Sequence, residues 1–126
     1  MLPDSLRHYL EDVESAIRNL QGAYVERYQE EILAARRVNL RVRIRFLRGF
    51  LLELNEAVVA EAGTIKHLGY HYHFQDEQSR VIFRYDNTPH FSDLKNFPHH
   101  KHLAAGVIDC EKPSIPQVLE EATHYF

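Results

Sequence analysis

Leu40-Arg41-Val42-Arg43-Ile44-Arg45-Phe46-Leu47-Arg48-Gly49-Phe50-Leu51-Leu52-Glu53-Leu54 is the stretch that decides the fold. Leu40, Val42, Ile44 and Phe46 alternate with Arg41, Arg43 and Arg45. A period of two makes a half-buried strand, here with a row of guanidinium groups on its polar face. Leu47-Arg48-Gly49 suits a short hairpin loop with Gly49 in the left-handed position. That loop predicts Phe46 opposite Phe50, Ile44 opposite Leu52 and Val42 opposite Leu54 on the apolar face. On the polar face it sets Arg43 against Glu53 and Arg41 against Asn55. Such pairs contribute about 0.2–1 kcal/mol each, so part of the arginine row is a charge ladder and not a ligand site.

Toward the N-terminus, Leu6, Tyr9, Leu10, Val13, Ile17 and Leu20 recur at helical steps, predicting an amphipathic helix over 5–20. Asp4 is its expected N-cap and Gly22 its C′ glycine. Residues 23–35 fit either element. Tyr24, Tyr28 and Ile32 are spaced by four, whereas Glu26 and Glu30 suit the wet side of a strand; Ala34-Ala35 tilts the reading slightly toward helix.

Toward the C-terminus, residues 56–63 finish the second strand and turn at Gly63. In the next strand Leu68, Tyr70, Tyr72 and Phe74 alternate with His67, His71, His73 and Gln75, giving an apolar face and an imidazole face. Asp76-Glu77-Gln78-Ser79 is a polar turn. Strand 80–86 then places Val81, Phe83 and Tyr85 opposite in facing to Arg80, Ile82 and Arg84. Residues 87–98, with Pro89 and Pro98, read as a loop. His99–Leu103 and Gly106–Asp109 read as short edge strands. Ser114-Ile115-Pro116-Gln117 is a capping-box start for a final helix. The expected architecture is α+β: an antiparallel meander of about five or six strands, with an N-terminal and a C-terminal helix on one face, in a single domain over 1–126.

At 126 residues and 44% hydrophobic, the chain has material for one real core, and 26% charged residues argue against general disorder. Net charge is −3, or −3 + 9 = +6 with every histidine protonated, so any basic surface is local. The lone Cys110 has no internal disulfide partner, which suits a cytoplasmic setting. The N-terminus soon reaches Asp4, Glu11 and Asp12, unlike a signal peptide. No apolar run approaches the roughly 20 residues of a membrane span.

The chemistry concentrates in residues 65–103, which hold seven of the nine histidines. His71 and His73, two apart on a strand, have Cα atoms roughly 6.6 Å apart on one face. They can chelate zinc with His99, His100 or His102, yet no carboxylate or cysteine completes a zinc spacing, and no metal or other cofactor is assigned. The same residue types suit metal-independent phosphodiester cleavage, which needs a base, an acid and a cation for the phosphorane. In that scheme Arg84 and Lys101 hold the phosphate, two of His73, His90, His100 and His102 act as base and acid, and Asp86 orients a histidine. Arg41, Arg45, His71, Tyr85 and Asn87 are the candidate binding residues. Two other readings stay open. One is a non-enzymatic RNA- or protein-binding module; the other is a His-ligated metal hydrolase.

Phe83-Arg84-Tyr85-Asp86-Asn87-Thr88-Pro89-His90 and Phe97-Pro98-His99-His100-Lys101-His102 resemble blocks of the TumE family of small bacterial toxin–antitoxin proteins. Residues 39–46 and 70–76 are similar to its earlier strands. The likeness covers roughly residues 24–122, with Phe91 standing where a second histidine or polar residue is expected. It carries over Arg84, Tyr85, Asp86, Asn87, Pro89, His90, His100, Lys101 and His102. The resemblance implies that 23–33 is a strand, that the partner is a helix-turn-helix antitoxin, and that the protein inhibits growth, with RNA as the expected target. A homodimer is a further expectation.

Overall fold

The computed structural model describes residues 2–126. In chain order it comprises α1 (Asp4–Arg18), β1 (Ala23–Ala34), β2 (Arg37–Phe46), β3 (Leu51–Glu61), β4 (Thr64–Gln75), β5 (Val81–Asp86), β6 (His100–Leu103), β7 (Gly106–Asp109) and α2 (Ile115–Ala122). The strands form one antiparallel sheet in the order β1-β2-β3-β4-β5-β6-β7. The α+β meander with a helix at each end is as expected, with seven strands in place of five or six.

The β2–β3 register agrees with the sequence at each position. Ile44 faces Leu52, Val42 faces Leu54, Arg43 faces Glu53 and Arg41 faces Asn55. Arg48 joins Gly49 in the left-handed region, with φ of 67° and 83°. A non-glycine residue there is uncommon, and it lets the loop close so that Phe46 N–H donates to Phe50 O at 2.8 Å. The next hairpin turns through Ala62 and Gly63, both at positive φ.

One face of the sheet carries the core. Leu40, Val42, Ile44, Leu52, Leu54, Tyr72, Phe74 and Phe83 are buried there beneath Leu6, Leu10, Val13 and Ile17 of α1 and Ile115, Val118, Leu119 and Ala122 of α2. Truncating such a residue, Leu10→Ala for example, costs about 2–5 kcal/mol. The capping box of α2 is present: Gln117 N–H donates to Ser114 Oγ at 3.2 Å, and Ser114 N–H donates to Gln117 Oε1 at 2.8 Å.

Four expectations are corrected. Asp4 does not cap α1; Pro3 holds that position without a side-chain bond, and Asp4 lies inside the first turn, paired with Arg7 at 3.0 Å. Gly22 is not the C′ residue, since α1 ends at Arg18 and Asn19 is its C-cap. Gly22 instead turns the chain into β1 at φ 67°, and its carbonyl accepts from Leu47 N–H. Residues 23–34 are strand, as the resemblance implies and against the slight helical lean of their spacing. Their alternation is broken by irregularities at Glu26 and Leu33, which give a false helical spacing. Finally, His67 is not on the imidazole face. Gly69 pairs with Ala57 but His67 pairs with Val58, so Leu68 is an extra residue that inverts the facing of everything before it.

Candidate active site on the open sheet face

The helices leave the other face of the sheet open, and the register decides what shares it. Arg41, Asn55, His71, Asp86 and His100 form one row across β2 to β6. Arg43, Glu53, His73, Arg84 and His102 form the next. The arginine row and the histidine row therefore lie on the same surface. Beside the first row lies a groove of about 560 Å³ lined by Arg37, Asn39, Arg41, Asn55, His71 and Asn87, among others.

Asp86 anchors the far end. His100 Nε2 lies 2.8 Å from Asp86 Oδ1, and His102 Nε2 lies 3.4 Å from Oδ2. Arg84 Nε donates to Oδ2 at 3.2 Å, and Thr88 N–H donates to Oδ1 at 3.1 Å. Burial pushes the Asp86 carboxyl up, but the Thr88 bond, the charge of His100, the Arg84 bond and the charge of His102 outweigh it and hold it below the ordinary carboxylate range. The loop 87–99 folds over this end of the open face. Phe91, at φ 58°, sets its ring edge-on to His100 at 5.1 Å and to His102 at 6.1 Å.

The two histidines of this cluster differ in access. His100 is sealed, with 1% of its side chain exposed. Its Nδ1–H donates to Pro98 O at 2.9 Å. Its Nε2 is close to Asp86 yet makes no aligned hydrogen bond. His102 is 35% exposed and reaches the surface. Burial, the largest effect, lowers the His102 pKa; Asp86 opposes that and His100 and Arg84 add to it.

On β4, His71 Nε2 accepts from Asn55 Nδ2 at 2.8 Å, and burial followed by the Arg84 charge lowers its pKa. His73 Nε2–H donates to Gln75 Oε1 at 2.9 Å, while its buried Nδ1 has no partner. Arg84 spends one nitrogen on Asp86; its other two make no hydrogen bond among the described residues.

The remaining sequence candidates fall elsewhere. Lys101 and Tyr85 face the helices: Lys101 Nζ bonds Glu121 Oε2 at 2.6 Å and Tyr85 OH donates to Glu121 Oε1 at 2.6 Å. Lys101 therefore does not share a phosphate site with Arg84, which points to the other face. Asn87 stays at the groove, where its Oδ1 accepts from Tyr70 N–H at 3.0 Å. His90 is exposed on the covering loop beside Phe91, outside the Asp86 cluster. Arg45 is occupied by Glu26 and by Gly49 O, and Arg43 by Glu26 and Glu53. Arg41 forms no ion pair among the described residues, so of the row it is the available cation.

Sequence reasoning missed Glu56. It is buried on the helix side, where Tyr9 OH donates to Oε1 at 2.5 Å, Tyr72 OH donates to Oε2, and His67 Nε2 lies 3.2 Å from Oε2. The signal was a lone glutamate at an even position of β3, in line with Leu52, Leu54 and Val58. Asp86, His100 and His102 together are also the one group among the described residues whose donor atoms could hold a metal ion, all lying within 4.8 Å of one another.

No helix among the described residues is long and apolar enough to cross a membrane. Comparison with curated proteins and with solved structures gives no match. Residues 8–125 match the family described as Toxin TumE, and the chain belongs to that toxin family.

Proposed function

We propose that this toxin arrests growth by cleaving RNA on the open sheet face without a metal, and that a helix-turn-helix antitoxin restrains it. The observation that carries the reading is the register His73–Arg84–His102 across β4, β5 and β6. Adjacent strands are about 4.8 Å apart, so the two imidazoles flank one guanidinium with Cα atoms about 10 Å from each other. A phosphate held by the free nitrogens of Arg84 has a histidine on either side, and His73 engages it by exchanging its Nε2–H bond to Gln75 Oε1. One takes the 2′-OH proton as the oxygen attacks phosphorus; the other gives a proton to the departing 5′-oxygen, leaving a 2′,3′-cyclic phosphate. Asp86 fixes Arg84 by a hydrogen bond, and the imidazoles of His100 and His102 sit beside its two oxygens. Arg41 and the groove beside it take the flanking backbone.

One observation favours a second reading. Asp86, His100 and His102 converge, and the Nδ1–H bond from His100 to Pro98 O leaves Nε2 to face the cluster, the arrangement usual for a metal-bound imidazole. In that case Asp86, His100 and His102 would hold a divalent ion, whose chemistry would be activation of water in a metal-dependent hydrolase.

The test is digestion of total bacterial RNA by purified toxin, with and without EDTA, with end-group analysis of the products. Cyclic-phosphate ends formed in EDTA and lost in His102→Ala support the acid–base reading. Activity abolished by EDTA and restored by one divalent metal moves the assignment to the second. Salt-dependent RNA binding with no cleavage refutes both and leaves a sequestering module.

A further inference from the structure

The strand that is least explained by the intramolecular fold is β1. It is an edge of the sheet and twelve residues long, and neither helix covers it. Only Ala23 and Tyr28 are even half-buried. Tyr24 is 68% exposed and Ile32 59%, with Val25 and Leu33 also open to solvent. The other edge, β7, has four residues. β1 has no lysine, proline or covering segment; its edge devices are two irregularities and the charges of Glu26, Arg27, Glu30 and Glu31, and between the irregularities residues 27–32 keep a regular run of backbone donors and acceptors free to pair.

The charges on β1 say what pairs with it. Arg27 is set opposite Arg43 within the chain and forms no ion pair among the described residues. Glu31 receives only a long bond of 3.4 Å from the Asn39 amide. Both residues face the open side, because their β2 partners Arg43 and Asn39 do. Val25 and Ile32 face the helix side, opposite Ile44 and Val38. A second β1 laid antiparallel about Gln29 brings each Arg27 to the Glu31 of the other copy. The irregularity at Glu26 takes up the odd residue and sets each Val25 near the other copy's Ile32. The strand is complementary to itself in both charge and apolarity.

We propose that β1 is a homodimer interface, in which two copies join edge to edge through antiparallel β1 strands centred on Gln29. The two seven-stranded sheets become one continuous sheet. The two-fold axis runs perpendicular to that sheet, so both helix layers lie on one side and both arginine–histidine faces on the other. This inference rests on the edge and its charges alone, and it holds whether or not the open face cleaves RNA.

Sedimentation equilibrium of the purified toxin, from micromolar to hundreds of micromolar, tests it. The wild type is expected at twice the chain mass. Ile32→Lys is expected to be monomeric with an unchanged circular dichroism spectrum, and Leu68→Lys, exposed elsewhere on β4, to remain dimeric. Arg27→Glu is expected to weaken the dimer by about tenfold or more, and Arg27→Glu with Glu31→Arg to restore it. The restoration separates this register from a merely sticky edge. A wild type that stays monomeric overturns the proposal, as does a dimer indifferent to Ile32→Lys. So does a monomer whose β1 pairs only with the antitoxin.

Discussion

Lys101 and His102 are adjacent in the chain and lie on opposite faces of the sheet. Lys101 ties β6 to α2 through Glu121 at 2.6 Å, and its ammonium sits 4.7 Å from the centre of the Tyr85 ring. His102 looks the other way, to Asp86. Lys101→Met is therefore expected to lower stability by about 1–2 kcal/mol while leaving the RNA chemistry in place, because the pair is mostly enclosed without being deeply buried. Thermal melts alongside an RNA digest decide it; loss of cleavage with an unchanged melt refutes the facing given to Lys101.

His73→Ala and His102→Ala are each expected to slow RNA cleavage by about 10²–10⁴-fold, and the double variant by less than the product of the two. Arg84→Lys keeps the charge but loses the planar fork, and is expected to fall well below wild type. Single-turnover kinetics on a short RNA measure all of these. A His73→Ala enzyme of full activity removes β4 from the chemistry.

Of Arg41, Arg43 and Arg45 on the open face of β2, Arg41 is the one with no ion pair among the described residues, and Arg45 is held by Glu26 at 3.1 Å. Arg41→Ala is expected to weaken RNA binding and to reduce the salt dependence of the affinity by about one unit of slope, with stability within about 0.5 kcal/mol of wild type. Arg45→Ala is expected to leave the salt slope unchanged. Titrations by fluorescence anisotropy at several salt concentrations distinguish them; equal losses contradict the charge-ladder assignment.

Glu56 links stability to pH. Burial raises its carboxyl, but the bond and charge from His67 and the hydroxyls of Tyr72 and Tyr9 outweigh that and lower it below 4.5. Lys112, whose own pKa burial lowers, also faces this carboxylate. A carboxyl lowered by folding stabilises fully above its unfolded value and loses that contribution as pH falls through the folded value. Glu56→Gln is expected to cost about 1–3 kcal/mol at pH 7 and to flatten the acid limb of stability below about pH 4.5. Urea unfolding at a series of pH values checks it; an acid limb as steep as wild type excludes Glu56.

What the sequence made legible was set by how regular each strand is. The β2–β3 pair has strict alternation and a short glycine loop, so its register and its charge ladder could be written down in advance. β1 has the same chemistry but two irregularities and almost no burial, so neither period survived. One extra residue at Leu68 was enough to send His67 to the helix side, where it completes the Glu56 cluster. Asp86, His100 and His102 were picked out by residue type and by the resemblance of their two blocks to the TumE family. That Lys101 faces away from His100 and His102 follows from alternation once 100–103 is a strand; that it shares its face with Tyr85 was not legible, because it depends on how β6 pairs with β5. The covering role of Phe91 was hidden as well, since a loop's path over a sheet leaves no periodic trace.

Each strand pairs only with those next to it in sequence. The sheet can therefore grow hairpin by hairpin as the chain leaves the ribosome, with little loop entropy to overcome at each step. The Asp86–His100–His102 cluster, however, lies toward the later part of the chain. Arg84 and Asp86 emerge without their histidine partners, and α2 comes later still. A chain cut before His100 loses His100 and His102 and, with α2, one of the two helices over the core, so the Asp86 cluster and the cover of the sheet are completed together.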